Sequence, residues 1–206
     1  MPRQNRASIT YRAVLCEEHI VTRTCIQSAL LCLSVVACTT APEQRAAQLP
    51  AGLYGVYEDN DIGAINLSSW AFGAARRTAD DPLDAVKAVI AVEYLADEIN
   101  ISPRWIMMSQ FAKQEMIQAR VDVRRVLGIA PDAPSQSVVD ALLRVALSLE
   151  AANHDEALRA LENPLFSLPP TQTLQILTNM PFIRSANIAT MDAAAQTSPN
   201  GDVGHR

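Results

Sequence analysis

Val138-Val139-Asp140-Ala141-Leu142-Leu143-Arg144-Val145-Ala146-Leu147-Ser148-Leu149-Glu150 carries its apolar residues at helical spacing. Ala151-Ala152-Asn153-His154-Asp155-Glu156-Ala157-Leu158-Arg159-Ala160-Leu161 follows at once with a second, shorter helical signal. In the first segment Val138, Leu142, Val145 and Leu149 form one stripe, widened by Val139, Leu143 and Ala146. Asp140 and Arg144 are spaced to pair at i,i+4 on the outer face. Asn153 precedes Glu156 as a capping box with Asn in the place of Ser or Thr. The pattern is a pair of helices joined by a short turn, and no two-residue alternation competes with it.

The rest of the chain is punctuated in the same way. Asp81-Pro82 and Ser102-Pro103 each set a capping side chain before a proline at the first helical position. Gly128 is suited to close a helix in the left-handed conformation, and Pro181 forces a break. With 32 alanines among 206 residues, helix is favoured over sheet. The spacing predicts helices at 61–78, 82–99, 103–127, 136–152, 154–162, 170–180 and 181–195. The fold class is therefore all-α, a compact bundle of about six to seven helices with a central apolar helix and no sheet. Ile62 to Ala75 holds no charge, which marks the first helix as the central one; that run is too short to span a bilayer. Helix 103–127 sets Trp105, Met108, Ala112, Ala119, Val123 and Val126 along one side, with Lys113, Arg120, Arg124 and Arg125 available to solvent.

Upstream lies a different kind of segment. Arg23 precedes an uncharged run from Cys25 to Ala37, which is shorter than a bilayer requires and has the form of a secretory signal peptide. Its end, Val35-Val36-Ala37-Cys38, resembles the lipobox of bacterial lipoproteins. The resemblance covers residues 21–38. It implies cleavage between Ala37 and Cys38, a diacylglycerol on the Cys38 sulfur and usually a further acyl chain on the freed amine. A thiol is required because the thiolate is the nucleophile toward the lipid donor, and several chains together make an anchor stable. Thr39, where Asp commonly retains such proteins in the inner membrane, implies the outer membrane facing the periplasm. Glu17, Glu18 and His19 fit a signal poorly, so translation is expected to start at Val21. The domain plan is then a signal peptide over 1–37, a flexible tether over 38–52, a helical domain over 53–195 and a disordered tail over 196–206.

Composition narrows the function classes. The chain has 17 basic and 22 acidic residues, a net charge of −5, and only Lys87 and Lys113 as lysines. Loss of residues 1–37 removes four arginines and two glutamates and leaves −7. That balance opposes nucleic-acid binding, which needs a basic face. Cys16, Cys25 and Cys32 precede the expected cut, so the mature chain keeps Cys38 alone and has neither an internal disulfide nor a cysteine metal site.

The candidate chemistry is sparse. The mature chain has two histidines, His154 at a helix start and His205 in the tail. His154 beside Asp155 and Glu156 is a conceivable base or ligand, though a metal site needs several converging ligands. Glu93, Asp97 and Glu98 crowd one helix end, where like charges and the dipole both disfavour them. With Glu115, Glu93 and Asp97 form a candidate site for a hard cation or acid–base work; the alternative is ion pairing to Arg76, Arg77 or Arg104. Asp59 and Asp61 have the spacing of the first two calcium ligands of an EF-hand. Ala64 and Trp70 stand where that loop needs Gly and Glu. Trp70, Trp105, Tyr94, Phe72 and Phe111 read as core or as the lining of a pocket. Tyr54 and Tyr57, ahead of the first helix, are candidates for a partner surface. The turn at 151–153 and Glu156-Ala157-Leu158 look like the middle of a tetratricopeptide hairpin, but no second copy follows at the period of about 34 residues.

These features suggest a lipid-anchored periplasmic protein with a non-catalytic binding or scaffolding role, no cofactor beyond the lipid on Cys38, and an envelope protein as partner. Two alternatives stand beside it. One is a carrier of a small apolar ligand between helices. The other is a metal or acid–base enzyme using Glu93, Asp97 and Glu115.

Overall fold

A computed structural model describes residues 46–55 and 59–197. All of them fall in one compact unit, and residues 1–42 lie outside them. The expected signal peptide, Ala37, Cys38, Thr39, Tyr57, His205 and the residues from 198 onward therefore fall outside them as well. The described residues form seven α-helices: α1 (Asn60–Phe72), α2 (Pro82–Ile101), α3 (Gln110–Leu127), α4 (Ser135–Glu150), α5 (His154–Leu161), α6 (Pro170–Thr178) and α7 (Arg184–Thr197). Among the described residues there is no strand, only an isolated antiparallel bridge between Ile129 and Phe166. None of these helices is long and apolar enough to cross a membrane.

The centre of the bundle is α2, not α1. Asp81 caps α2 by accepting from the Asp84 amide at 3.0 Å, with Pro82 at the first turn. From Ala85 to Ala96 all but Lys87 is buried, and α1, α3, α4 and α6 all pack on it. The charge-free stretch in α1 instead turns Asn66 and Trp70 to solvent and packs chiefly on α2 and α7. The expectation failed because a charged helix can be buried on every side when another helix supplies the counter-charges, as α3 does here. The chain closes with α7, which packs on both α1 and α3. Asn187 Nδ2 donates to the Phe72 carbonyl (3.1 Å) and the Ser109 amide donates to Gln196 Oε1 (2.9 Å).

Helix ends follow local chemistry. Helix α1 stops at Phe72 rather than 78, because the Arg77 guanidinium folds back over Gly73 and donates to the Trp70 carbonyl at 2.7 Å. A Cβ on Gly73 would sit 2.2 Å from the Arg77 Nη1 atom. Residues 103–109 form a 3-10 turn and a bend instead of the start of α3, since Arg104 and Trp105 reach back to Asp61. Ser109 then caps α3. At its other end Gly128 takes φ 68°, as its type requires, and its carbonyl accepts from the Ser167 amide at 2.7 Å. Helix α4 buries Val138, Val139, Leu142, Val145 and Ala146 along the expected stripe. Asp140, expected to pair with Arg144, accepts from Gln136 Nε2 at 2.8 Å.

Residues 46–52, read as part of the tether, lie on the domain. Ala47 is buried, and Gln136 exchanges hydrogen bonds with the Gln48 backbone at 2.7 and 3.3 Å. Asn60 Nδ2 holds the Pro50 carbonyl at 3.3 Å.

Candidate functional site

Glu93 and Asp97 lie one turn apart on α2 and face α3. Glu93 is completely buried. Arg124 grips it with both forks, Nε to Oε1 at 2.8 Å and Nη2 to Oε2 at 2.7 Å. The same guanidinium donates through Nη1 to the Pro131 and Ala133 carbonyls, both at 2.9 Å. One arginine thereby neutralises a buried acid and holds the α3–α4 loop. Burial lifts the Glu93 carboxyl above the usual carboxylate range, and the hydrogen bond and charge of Arg124 oppose that rise. Asp97 takes Arg120 at 2.6 Å, and Arg120 continues to Ser135 Oγ at 3.0 Å.

This arrangement corrects two expectations. Arg120 and Arg124 do not serve as free solvent cations; together with the buried Lys113 they belong to the inner side of α3, and only Arg125 stands well exposed. The partners of Glu93 and Asp97 are therefore not Arg76, Arg77 or Arg104. Glu115 does not join them. It faces α7, where Asp192 shares a hydrogen bond with it. Burial and the Asp192 carboxyl raise its pKa, and its Oε2 atom is buried without a partner. His154 is elsewhere again, exposed on the first residue of α5, with Asn153 capping that helix from its side-chain oxygen (3.1 Å to the Glu156 amide). Among the described residues, no three His, Cys, Asp or Glu side chains are grouped so as to hold one metal ion.

A second polar cluster centres on Asp61, buried at the start of α1. Tyr94 O–H donates to its Oδ1. Trp105 Nε1 (3.2 Å) and Arg104 Nη1 (2.8 Å) donate to its Oδ2. Arg104 also binds both oxygens of Asp59 at 2.8 Å, and Asp59 caps α1. Hydrogen bonding from Arg104 holds the Asp59 carboxyl below its ordinary value. Burial, then the Asp61 carboxylate, raises the Tyr94 phenol. Asp59 and Asp61 are thus occupied by one cation, Arg104, and two buried donors, Tyr94 and Trp105. Their spacing had the form of the first two calcium ligands of an EF-hand; a salt link across about forty residues leaves no local pattern to read.

Of the aromatic side chains, Phe72, Tyr94 and Trp105 are core, whereas Trp70 and Phe111 are exposed. Tyr54 is half-buried on the N-terminal arm and its O–H donates to the Lys87 carbonyl at 3.3 Å. Beside it a groove of 660 Å³ runs under the arm, between Leu49 and Leu53 on one wall and Lys87, Leu143, Leu147 and Glu150 on the other. Lys87 and Glu150 pair across its floor at 3.5 Å. The groove joins apolar walls to the Lys87–Glu150 pair, Asp140 and Gln48, a composition suited to an extended peptide or a small amphipathic ligand.

No protein-family model, no curated protein and no solved structure matches this chain.

Proposed function

We propose that the chain is exported, acylated on Cys38 and held at the cell envelope, with the helical domain acting there as a non-catalytic binding or scaffolding unit. The observation that carries this reading is Val35-Val36-Ala37-Cys38 at the end of an uncharged run that follows Arg23. Thr39 supports an outer-membrane destination facing the periplasm. The domain adds a second line of support. Its inward-facing acids on α2 are satisfied by arginines and serve the packing of α2 against α3, and Glu115 stands on the far side of α3. The proposed partner is a protein of the envelope. An anchor confines the domain to a surface and so raises its effective concentration toward such a partner.

A second reading, a carrier of a small apolar ligand, draws on the groove beneath Leu49 and Leu53. In-cell crosslinking followed by mass spectrometry tests the first reading, with Cys38→Ala as the control. A stoichiometric envelope partner lost in the control is expected. The same partner captured equally by both chains would separate binding from anchoring, and no partner in either would remove the scaffold role and leave ligand extraction from the purified domain as the test of the carrier.

A further inference from the structure

The link between α2 and α3 is the least covered apolar part of the described surface. Ile106 is 73% exposed, Met107 90% and Phe111 69%, and Ile101 adds a further exposed edge. Isolated exposed apolar residues are ordinary, but a cluster at one turn is a binding surface. This segment is also free of acids. From Ile99 to Gln114 its charged residues are Arg104, which is paired with Asp59 and Asp61, and Lys113, which is buried. The acids that border it are Asp59 and Asp61, which share Arg104, and Glu98, which lines the recess beside Ile101.

The position of the chain's entry into the domain is the second observation. Ala46 and Ala47 line one recess together with Ile101, Ser102 and Pro103. Cys38 precedes Ala46 by eight residues. Fully extended, those residues reach at most about 29 Å. An anchor at Cys38 therefore holds Ala46, at this end of the bundle, within about 29 Å of the lipid.

We propose that Ile106, Met107 and Phe111 form a lipid-docking surface that enters the headgroup–acyl boundary of the membrane to which the chain is anchored. The inference rests on the anchoring reading above. Apolar side chains bury their surface at the boundary, and the segment 99–114 that carries them brings no acid of its own to it. Docking of this end fixes the orientation of the domain. The Lys87–Glu150 pair lies 14 residues back along α2 from Ile101, about 21 Å at 1.5 Å per residue, and so stands farther from the docked end.

The test uses the full chain as recovered from cells, added to vesicles of phosphatidylethanolamine and phosphatidylglycerol whose acyl chains carry bromine. Two exposed positions receive a fluorophore, Phe111→Trp in the cluster and Leu147→Trp beside the groove. The unsubstituted chain supplies the background from Trp70 and Trp105. Quenching at position 111 is expected to exceed that at 147 by at least about two-fold, since bromine in the acyl region reaches only side chains at that depth. Equal quenching, or none at 111, would overturn the proposal. An absence of quenching at 111 joined to a concentration-dependent blue shift there would overturn it in favour of a second copy of the chain as occupant. Palmitate incorporation, lost in Cys38→Ala, reports separately on the anchor. Incorporation without the contrast removes the docking surface and keeps the anchor. The contrast without incorporation keeps the surface and removes the anchor.

Discussion

Helix α3 presents basic residues on one side and an acid on another, and its two seams differ accordingly. Toward α2 it offers Arg120 and Arg124 to Asp97 and Glu93, so each acid meets a cation at 2.6–2.7 Å. Toward α7 it offers Glu115 to Asp192, an acid to an acid, with a buried oxygen left over. The first seam is neutralised at every pH at which carboxylates ionise. The second is relaxed only when a proton is shared. A carboxylate at a helix interface is thus a structural element or a source of strain according to what the facing helix supplies, and its own helix does not reveal which.

Breaking the neutralised seam has the largest expected effect. Arg124→Met leaves Glu93 as an unpaired buried charge and frees the Pro131 and Ala133 carbonyls. Urea titration at pH 7 should show a loss of about 3–5 kcal/mol. Adding Glu93→Gln to that variant should recover at least about 1 kcal/mol, because removal of the second partner relieves the stranded charge. Two strictly additive losses would contradict the pairing. Next in size is Asp61→Ala, which strips the acceptor from Tyr94, Trp105 and Arg104. A loss of about 2–3 kcal/mol is expected in the same titration.

Gly128→Ala tests the loop that Arg124 helps to hold. Its φ of 68° disfavours a Cβ, which would also lie 2.5 Å from Leu168 Cγ. The cost should be about 1–2 kcal/mol, seen as a lower thermal midpoint. The smallest effect has the opposite sign. The Glu115 carboxyl is raised in the folded state, so the proton binds more tightly there than in the unfolded chain. Stability from this group is complete below the unfolded value of about 4.3 and is lost as the pH rises through the raised folded value. Glu115→Gln should therefore stabilise the protein at pH 7 by less than about 1 kcal/mol and flatten that part of the pH profile. A destabilised variant with an unchanged profile would break the contrast between the seams.

The helical architecture was readable because its signals are local. The stripe of α4, the Asp81-Pro82 cap, the left-handed Gly128 and the break at Pro181 each lie within a few residues of the structure that they specify. The centre of the bundle was not readable. Freedom from charge in Ile62–Ala75 pointed to α1, whereas α2 became central because Arg120 and Arg124, more than twenty residues away, neutralise its acids. The same long-range pairing hid the Asp61 cluster, which joins α1 to α2 and to the turn that follows it. It also divided the three carboxylates grouped as one candidate site, since their spacing does not say which side of α3 Glu115 occupies. The arm was misjudged for a related reason. Gln48 looks like tether composition, and only Gln136 on α4 shows that it is held.

The most direct test of the central functional claim is the mass of the N-terminal peptide from chain recovered in the membrane fraction of a Gram-negative host. The account predicts a peptide beginning at Cys38 and carrying a diacylglycerol, with a further acyl chain on its amine. An unmodified Cys38, or a chain that still holds residues before it, would contradict the anchored reading.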